Sequence, residues 1–270
     1  MKTYIITGAT SGIGKALTEY FSKENIVYAG YRNEDKLDDL KSISSNVIPF
    51  YVDYARPETI SSAVDFIKSK LDKADTLINV AGCVVAGAID SIPISELRRQ
   101  FDTNVFGHVE FTQGLLSILN NGKIINISSM ASYGIFPFIS PYCSSKRALD
   151  ILFNCLSLET KQNIKIVSVK PGAIATPLWS KSIEENKNTI DSCKNYDKET
   201  EYLKKNALKN EKCGLSVNKV VEKIVKIDSM KNPKPSYCVG NDAVFTSIIS
   251  KLPQCVLNKL IKLKLKRLSK

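Results

Sequence analysis

The sequence YIITGATSGIGKALTEYF, at residues 4–21, decides the fold class of this chain. Residues 4–6 are a short apolar, β-prone run, a glycine-rich turn fills residues 7–14, and a helical pattern begins at Lys15. Glycines let the backbone turn tightly and come close to a phosphate, which the free N–H groups and the positive dipole end of a helix N-terminus can bind. The order of strand, glycine turn and helix therefore predicts a nucleotide-binding βα unit.

The rest of the chain continues this alternation of apolar runs and amphipathic stretches. Helical patterns separate the runs, which is typical of a doubly wound parallel sheet in an α/β protein. At 270 residues, one large domain is the simplest interpretation. The strand-like runs lie at residues 4–6, 26–29, 47–52, 76–80, 123–128, 165–170 and 236–239.

The end of the second predicted strand bears on the choice of nucleotide. A fold that binds NAD usually places an acid here, against the ribose hydroxyls. Residues 27–33 contain no acid; Tyr31 stands about where the acid would be, and Arg32 follows. An arginine at this place can pair with the 2′-phosphate of NADP through its planar fork. The sequence therefore favours NADP(H) over NAD(H), with a solvated loop arginine as the alternative.

A second group of polar residues lies in the middle of the chain. Tyr142 and Lys146, spaced i and i+4, share one face of a helix. We predict that this helix starts at Ser140 and Pro141, with the serine as cap and the proline at the first helical position. A lysine cation beside a phenol favours the phenolate and lowers its pKa, which is ordinarily about 10. The hydroxyl of Ser129 can orient a carbonyl or alcohol against that phenol, so the three side chains predict proton transfer in hydride chemistry.

Taken in order, these motifs resemble those of the short-chain dehydrogenase/reductase family, and the resemblance covers nearly the whole chain. The sequence NVAG at residues 79–82 is similar to the family's Asn-Asn-Ala-Gly, with Val80 replacing the second asparagine. Asp53 matches the acid that contacts adenine, and Asn104 matches the helix-borne asparagine of the active site. The resemblance implies a single Rossmann-like domain and an NAD(P)-dependent oxidoreductase acting on CH–OH groups.

The resemblance also implies the site residues. The family spacing to the tyrosine selects Ser129 rather than Ser128, and the only histidine, His108, has no matching role, so we interpret it as structural. No metal site is expected. The expected catalytic residues are Asn104, Ser129, Tyr142 and Lys146. The expected cofactor-binding residues are Gly8, Thr10, Ser11, Gly12, Ile13, Gly14, Arg32, Asp53, Asn79, Ala81, Gly82, Tyr142, Lys146, Pro171, Gly172, Ile174 and Thr176.

Two segments are expected to close the substrate crevice beyond the carboxyl ends of the strands. Residues 180–214 form a long, polar connection of the kind that serves as a lid. Residues 130–140 form an apolar loop just ahead of Tyr142, and Trp179 can line the same pocket. An apolar pocket favours a small lipophilic carbonyl or alcohol substrate. The chain resembles the hydroxysteroid and retinol-type branch of the family, which implies steroids, retinoids or fatty-chain ketones and alcohols.

The formal charge of +11 is concentrated at the C-terminus, where residues 251–270 contain seven basic residues and no acid. Apolar residues recur between them at helical spacing, so we predict a catalytic domain at residues 1–250 followed by a basic amphipathic tail at 251–270. Such a helix can lie on an anionic membrane surface, and the alternative is docking over the substrate pocket. The basic residues lack interleaved aromatic residues, which argues against a nucleic-acid partner.

The remaining features bear on location and assembly. The N-terminus shows no secretory pattern, and the seven cysteines lack metal-ligand spacing. We therefore expect a cytoplasmic protein with reduced thiols. Peripheral membrane contact through the C-terminal tail is the alternative. The resemblance implies a homodimer or tetramer that pairs through the helices carrying Asn104 and Tyr142. Two other functions stay open: a non-catalytic dinucleotide-binding regulator, and a membrane-surface protein that uses the fold as a scaffold.

Overall fold

In the computed structural model, which describes residues 1–191, 193 and 195–268, one sheet of seven parallel strands organises the chain. The strand order is β3-β2-β1-β4-β5-β6-β7. The sheet is doubly wound, as predicted, and each predicted strand is present within two residues of its expected ends. The strands are β1 (Thr3–Ile6), β2 (Ile26–Tyr31), β3 (Val47–Tyr51), β4 (Thr76–Asn79), β5 (Lys123–Ile127), β6 (Lys165–Pro171) and β7 (Ser236–Val239).

Helices connect these strands and cover the sheet. The α-helices are α1 (Gly12–Phe21), α2 (Leu37–Lys41), α3 (Pro57–Lys70), α4 (Ile94–Phe101), α5 (Gly107–Leu115), α6 (Ser140–Glu159), α7 (Leu178–Glu185), α8 (Lys187–Asp191), α9 (Asp197–Cys213), α10 (Val217–Ser229), α11 (Asn241–Ile249) and α12 (Gln254–Leu268). Single 3₁₀ turns span Glu34–Lys36, Leu116–Ile118 and Met130–Ser132, and a π-helical turn spans Asp102–Phe106.

Successive strand residues point to opposite faces of the sheet, so each strand feeds two apolar cores. Ile6 and Ile78 pack in one cluster with residues of α1 and α10. Ile5 and Leu77 pack in the other with residues of α3, α5 and α6. Burial on both faces explains why the strands are continuously apolar rather than alternating.

The turn between β1 and α1 depends on its glycines. Gly8 and Gly12 have φ angles of 62° and 52°, a region that residues with a side chain rarely adopt. A Cβ at Gly14 would collide with the carbonyl group of Gly8. The tight turn therefore brings the N-terminus of α1 directly to the end of β1, as the sequence predicted.

The predicted start of α6 needs correction. Ile139, not Ser140, occupies the cap position of α6, with φ −130° and ψ 31°, so Pro141 is the second helical residue rather than the first. The segment 180–214 is largely helical (α7, α8 and α9), and residues 192 and 194 lie outside the described residues. The C-terminal helix begins at Gln254, directly after Pro253.

Among the described residues, no helix is both long and apolar enough to cross a bilayer. The same residues hold no group of three or more His, Cys, Asp or Glu side chains arranged to bind a metal ion.

Candidate active site

The predicted site residues gather at the carboxyl ends of β1, β4, β5 and β6, which neighbour one another in the sheet. The Thr7 hydroxyl, at the end of β1, accepts hydrogen bonds from the backbone N–H groups of Val80 and Ala81, at 3.0 and 3.2 Å. A Cβ at Gly8 would lie 3.0 Å from the Ala81 backbone, and one at Gly12 would lie 3.3 Å from the Thr176 side chain. The glycine turn, the segment after β4 and the segment after β6 therefore line one crevice.

This crevice fits a dinucleotide on structural grounds. Its glycine turn carries Ser11 exposed at the start of α1, where the side chain makes no cap hydrogen bond. The first-turn N–H groups of a helix bind anions, and the absence of a Cβ at Gly8 and Gly12 keeps the backbone accessible. Asp53 lies two residues beyond the carboxyl end of β3, and its carboxylate accepts a hydrogen bond from the Ala55 N–H at 3.0 Å.

Two of the predicted cofactor residues have interior side chains. The amide of Asn79 is fully buried and donates to Asn126 at 2.8 Å and to Thr112 at 3.2 Å. The side chain of Ile174 packs in the apolar core beside β6, and its carbonyl accepts a hydrogen bond from the Trp179 indole at 3.1 Å. Both side chains support the crevice from within, so only their backbone atoms can face a cofactor. The sequence motif alone did not reveal this.

Arg32 lies at the end of β2, as predicted, with a partner that the sequence did not indicate. Its guanidinium Nη2 is 3.9 Å from the Glu185 carboxylate on α7, and the two side chains are 46% and 30% exposed. Lys181 approaches the same carboxylate at 3.8 Å. The Tyr31 ring contacts Tyr51 edge-on, with 5.7 Å between ring centres. The arginine is therefore solvent-accessible but lies beside the acid of a helix within the predicted lid.

Ser129, Tyr142 and Lys146 come together at the end of β5 and the start of α6. Ser129 is half-buried and Ser128 is buried. The Ser129 hydroxyl accepts a hydrogen bond from the Ala131 N–H at 3.1 Å and also forms a hydrogen bond with Tyr142. The Lys146 ammonium donates to the Ile127 carbonyl at 2.9 Å and lies 6.0 Å from the centre of the Tyr142 ring.

The ionisation of this group differs from the sequence expectation. Burial raises the pKa of Tyr142 to about 12, and the opposing influence is the hydrogen bond with Ser129 rather than the lysine. Burial lowers the pKa of Lys146 to about 8, while the charge of Asp150 opposes that shift. The expectation that Lys146 lowers the pKa of Tyr142 is therefore wrong for this geometry. Burial dominates, and Lys146, with a pKa of about 8, loses its charge before a phenol with a pKa of about 12 ionises. The phenol is protonated at neutral pH.

Asn104 lies in the π-helical turn and ties the segment after β4 to α6. Its side-chain carbonyl accepts from the Cys83 N–H at 2.9 Å, and its amide donates to the Cys83 carbonyl at 3.0 Å and to Ser145 at 3.2 Å. A Cβ at Gly82 would lie 3.3 Å from the Asn104 carbonyl oxygen and 3.6 Å from the Lys146 ammonium. Asn104 and Lys146 thus face the same small space, which a glycine keeps open.

The interpretation of His108 as structural agrees with its surroundings. The ring is fully buried, its Nε2 lies 2.8 Å from the Ala81 carbonyl, and it packs edge-on against Tyr54 with 4.8 Å between ring centres. Burial, with a further contribution from the Lys146 charge, lowers the pKa of His108 to about 3. The imidazole is neutral and supports the backbone that follows β4.

Sequence reasoning missed a buried ion pair on the face of α6 that carries Tyr142 and Lys146. The Lys170 ammonium, on β6, lies 2.7 Å from the Asp150 carboxylate on α6, and both side chains are less than a tenth exposed. The same ammonium lies over the Tyr133 ring, 4.0 Å from its centre. The available signal was the spacing on α6, where Tyr142, Lys146 and Asp150 recur every four residues and so share one face.

The predicted lid contacts the segment that follows β4. The Asn186 amide donates to the Val84 carbonyl at 2.6 Å, and its carbonyl accepts from the Ala86 N–H at 3.1 Å. Farther along, the Tyr196 hydroxyl donates to the Asp90 carboxylate at 2.7 Å. The Tyr196 ring also contacts Phe138 of the apolar loop, with 5.5 Å between ring centres. The two segments expected to close the crevice therefore meet each other.

Comparison with known proteins gives results consistent with this site. A sequence profile described as short chain dehydrogenase matches residues 2–187. The NADPH-dependent 3-dehydrocapnine reductase of Ornithobacterium rhinotracheale is 31% identical over 282 residues, covering 100% of this chain and 99% of that protein. A short chain dehydrogenase from Burkholderia cenocepacia in complex with NADP has a TM-score of 0.73 at 20% identity, covering 96% of this chain and 99% of its own. A short chain dehydrogenase/reductase from Burkholderia phymatum in complex with NAD has a TM-score of 0.74 at 17% identity, covering 87% and 88%.

Proposed function

Because the chain belongs to the short-chain dehydrogenase/reductase family and is an NAD(P)-dependent oxidoreductase acting on CH–OH groups, we propose that it reduces or forms a ketone on a lipophilic substrate with NADP(H). The observation that carries this proposal is the convergence of Ser129, Tyr142 and Lys146 beside the glycine turn. Asn104 and Lys146 face the same small space at Gly82. This arrangement supports a role for Asn104 in organising proton transfer toward Lys146.

Tyr142 is the proposed general acid and base. With its pKa raised to about 12, the phenol holds its proton at neutral pH and can donate it to a carbonyl oxygen during reduction. Ser129 orients that oxygen through its hydroxyl proton. Lys146, with a pKa of about 8, is mostly cationic at neutral pH and is proposed to bind the ribose of the nicotinamide. When bound, the nicotinamide supplies or accepts the hydride.

The cofactor contacts named from the sequence keep their proposed roles, with Asn79 and Ile174 limited to their backbone atoms. We propose that the phosphates bind at the N-terminus of α1 and that Asp53 contacts the adenine. The preference for NADP(H) rests on Arg32 at the end of β2, with Tyr31 in place of an acid. The NADPH dependence in the name of the Ornithobacterium relative supports the same choice.

A lipophilic substrate is supported by the apolar side chains around the crevice mouth. Phe138, in the loop ahead of α6, contacts Tyr196 of the lid segment, and Ile135 of the same loop is half exposed. These side chains can cover an apolar substrate once it lies against Tyr142. We keep residues 1–250 as the catalytic unit, 180–214 as its lid and 251–270 as a basic tail.

The assembly is proposed to be a homodimer or tetramer in the cytoplasm. Large apolar side chains are exposed on the helical elements that carry Asn104 and Tyr142, and a second copy of the chain could cover them. They are Phe106, Ile151, Leu152 and Leu158. The seven cysteines are free thiols, which is typical of a reducing compartment.

Tyr142→Phe tests the reaction, because it keeps the ring and removes the ionisable hydroxyl. We expect NADPH oxidation with a panel of lipophilic ketones and aldehydes to fall by about 10² to 10⁴, with NADPH binding retained. Tyr133→Phe, in the neighbouring loop, is the matched control and should retain most turnover. Near-normal turnover in the Tyr142 variant would refute this mechanism. A parent protein that binds NADPH but turns over none of the panel would favour the non-catalytic regulator.

A further inference from the structure

The two C-terminal helices present an exposed apolar surface that the proposed reaction does not use. Its members lie on α11, in the following turn and on α12, and each is between 41% and 64% exposed. They are Val244, Phe245, Ile248, Leu252, Val256, Leu260 and Leu263. We call this surface the C-terminal face. The sequence suggested one apolar stripe in the tail, but α11 adds three exposed residues to it.

The apolar residues of α12 divide between two faces. Leu257, Ile261 and Leu265 are half-buried, on the side of α12 that packs toward α9. Lys264 lies near the Tyr202 ring of α9, 5.9 Å from its centre. One side of α12 is therefore attached to the body of the protein, and the C-terminal face is the side left exposed.

The charge on this surface has one sign. The lysines of α12 and the turn before it are all exposed: Lys251, Lys259, Lys262, Lys264 and Lys266. No acidic residue occurs after Asp242 in the sequence, and the Asp242 carboxylate accepts a hydrogen bond from the Ala173 N–H at 2.7 Å. The surface is apolar and positive together, with no exposed carboxylate among its described residues to balance the lysines.

We propose that the C-terminal face docks this protein on an anionic lipid bilayer. At a bilayer surface, apolar side chains enter the boundary between headgroups and acyl chains, while lysines reach the anionic headgroups. A second copy of the chain is a poorer occupant, because a twofold contact would bring the same positive surface against itself. The anionic bilayer satisfies both the exposed apolar area and the uncompensated charge.

The C-terminal face is attached close to the catalytic residues. Asp242, the second residue of α11, holds the backbone that follows Gly172. The Thr246 hydroxyl lies 3.8 Å from the sulfur of Met130, which directly follows Ser129. A docked bilayer would therefore lie beside the crevice, and a lipophilic substrate could enter from the membrane without crossing water. This route, unlike the docking itself, rests on the proposed function.

Vesicle flotation with the full-length protein tests the docking. We expect binding to vesicles of phosphatidylcholine and phosphatidylglycerol, little binding to phosphatidylcholine alone, and weaker binding as salt is raised. Phe245→Ser combined with Ile248→Ser should abolish binding. Lys259→Gln combined with Lys262→Gln should weaken it by about 25-fold, since each lysine near an anionic surface contributes about fivefold.

A matched triple variant on α3, with Phe66→Ser, Lys68→Gln and Lys70→Gln, removes similar exposed groups elsewhere and should bind vesicles like the parent. Equal binding to neutral and anionic vesicles, or equal loss in the α3 variant, overturns the proposal. The proposal is also overturned if the parent protein does not bind vesicles and the α11 variant has a lower mass in solution than the parent. That result would assign the C-terminal face to contact with a second copy of the chain.

A separate readout distinguishes failure of the docking from failure of the proposed function. NADPH binding and reduction of a short, water-soluble ketone should be unchanged in the Lys259 and Lys262 variant. Anionic vesicle binding by a parent protein that reduces no ketone supports the docking and refutes the reaction. Ketone reduction by a parent protein that does not bind anionic vesicles supports the reaction and refutes the docking.

Discussion

Glu185→Gln is expected to strengthen NADPH binding and to leave NADH binding nearly unchanged. The Glu185 carboxylate lies 3.9 Å from the Arg32 guanidinium, the group proposed to bind the 2′-phosphate. The carboxylate therefore competes with the phosphate for the same cation, and its charge also repels the phosphate. NADH has no phosphate at that position, so it should be nearly indifferent to the change.

The geometry limits the size of this effect. The two side chains are 46% and 30% exposed, so water screens their attraction. Pairs of this kind contribute about 0.2–1 kcal/mol, which corresponds to about 1.4- to 5-fold tighter NADPH binding in the glutamine variant. Arg32→Ala should act in the opposite direction and more strongly, because a charge-assisted hydrogen bond contributes about 1.5–3 kcal/mol, or about 10- to 150-fold.

Equilibrium titration of the parent, the two single variants and the double variant with each cofactor at low salt provides the assay. If Glu185 acts through Arg32, the glutamine substitution should have no effect once the arginine has been replaced. Glu184→Gln, at the exposed neighbouring position, is the matched control for a general change in charge. The reasoning is refuted if Glu185→Gln leaves NADPH binding unchanged, acts equally in the Arg32→Ala background, or strengthens NADH binding to the same extent.

Three further perturbations test the buried charges. Asp150→Asn removes a charge that raises the pKa of Lys146, so the alkaline limb of the pH–turnover profile should move to lower pH. Asp228→Ala leaves the buried Tyr4 and Thr76 hydroxyls without their acceptor, so the free energy of unfolding in urea should fall by about 2–6 kcal/mol. His108 has a pKa of about 3 in the fold and an ordinary value of 6.5, so the unfolded chain binds more protons between those pH values and stability falls as the pH drops. Between pH 7 and pH 5 the parent should lose about 2 kcal/mol more than His108→Gln; an equal loss in both proteins would contradict this.

The strands and the glycine turn could be predicted from the sequence because their determinants are local. An apolar run such as residues 4–6 specifies a strand buried on both faces, and the positive φ at Gly8 and Gly12 follows from their place in a tight turn. The cap of α6 was mispredicted because Ser140 has the right chemistry for a cap. The chain instead enters the helix one residue earlier, at Ile139.

The proposed catalytic residues could be found from a motif, but their surroundings depend on contacts distant in sequence. Asn186 is held to the backbone of Val84, and Arg32 approaches Glu185, because the lid segment lies across the end of the sheet. Neither contact leaves a periodic signal in the chain. The interior position of the Asn79 amide has the same origin, since its partners come from β5 and α5.

The ion pair beneath the site explains how a buried lysine can remain available for chemistry. Burial alone disfavours the Lys146 cation, and the Asp150 carboxylate one helical turn away offsets part of that penalty. An unpaired Asp150 would be a strong partner for the same ammonium group and could draw it away from the crevice. Lys170 holds that carboxylate at 2.7 Å, while Lys146 donates to the Ile127 carbonyl at the crevice floor. Lys170 thus keeps Asp150 near enough to favour the charged form of Lys146, while Asp150 does not form an ion pair with Lys146. The pH–turnover profile is therefore the decisive measurement for the effect of Asp150 on Lys146.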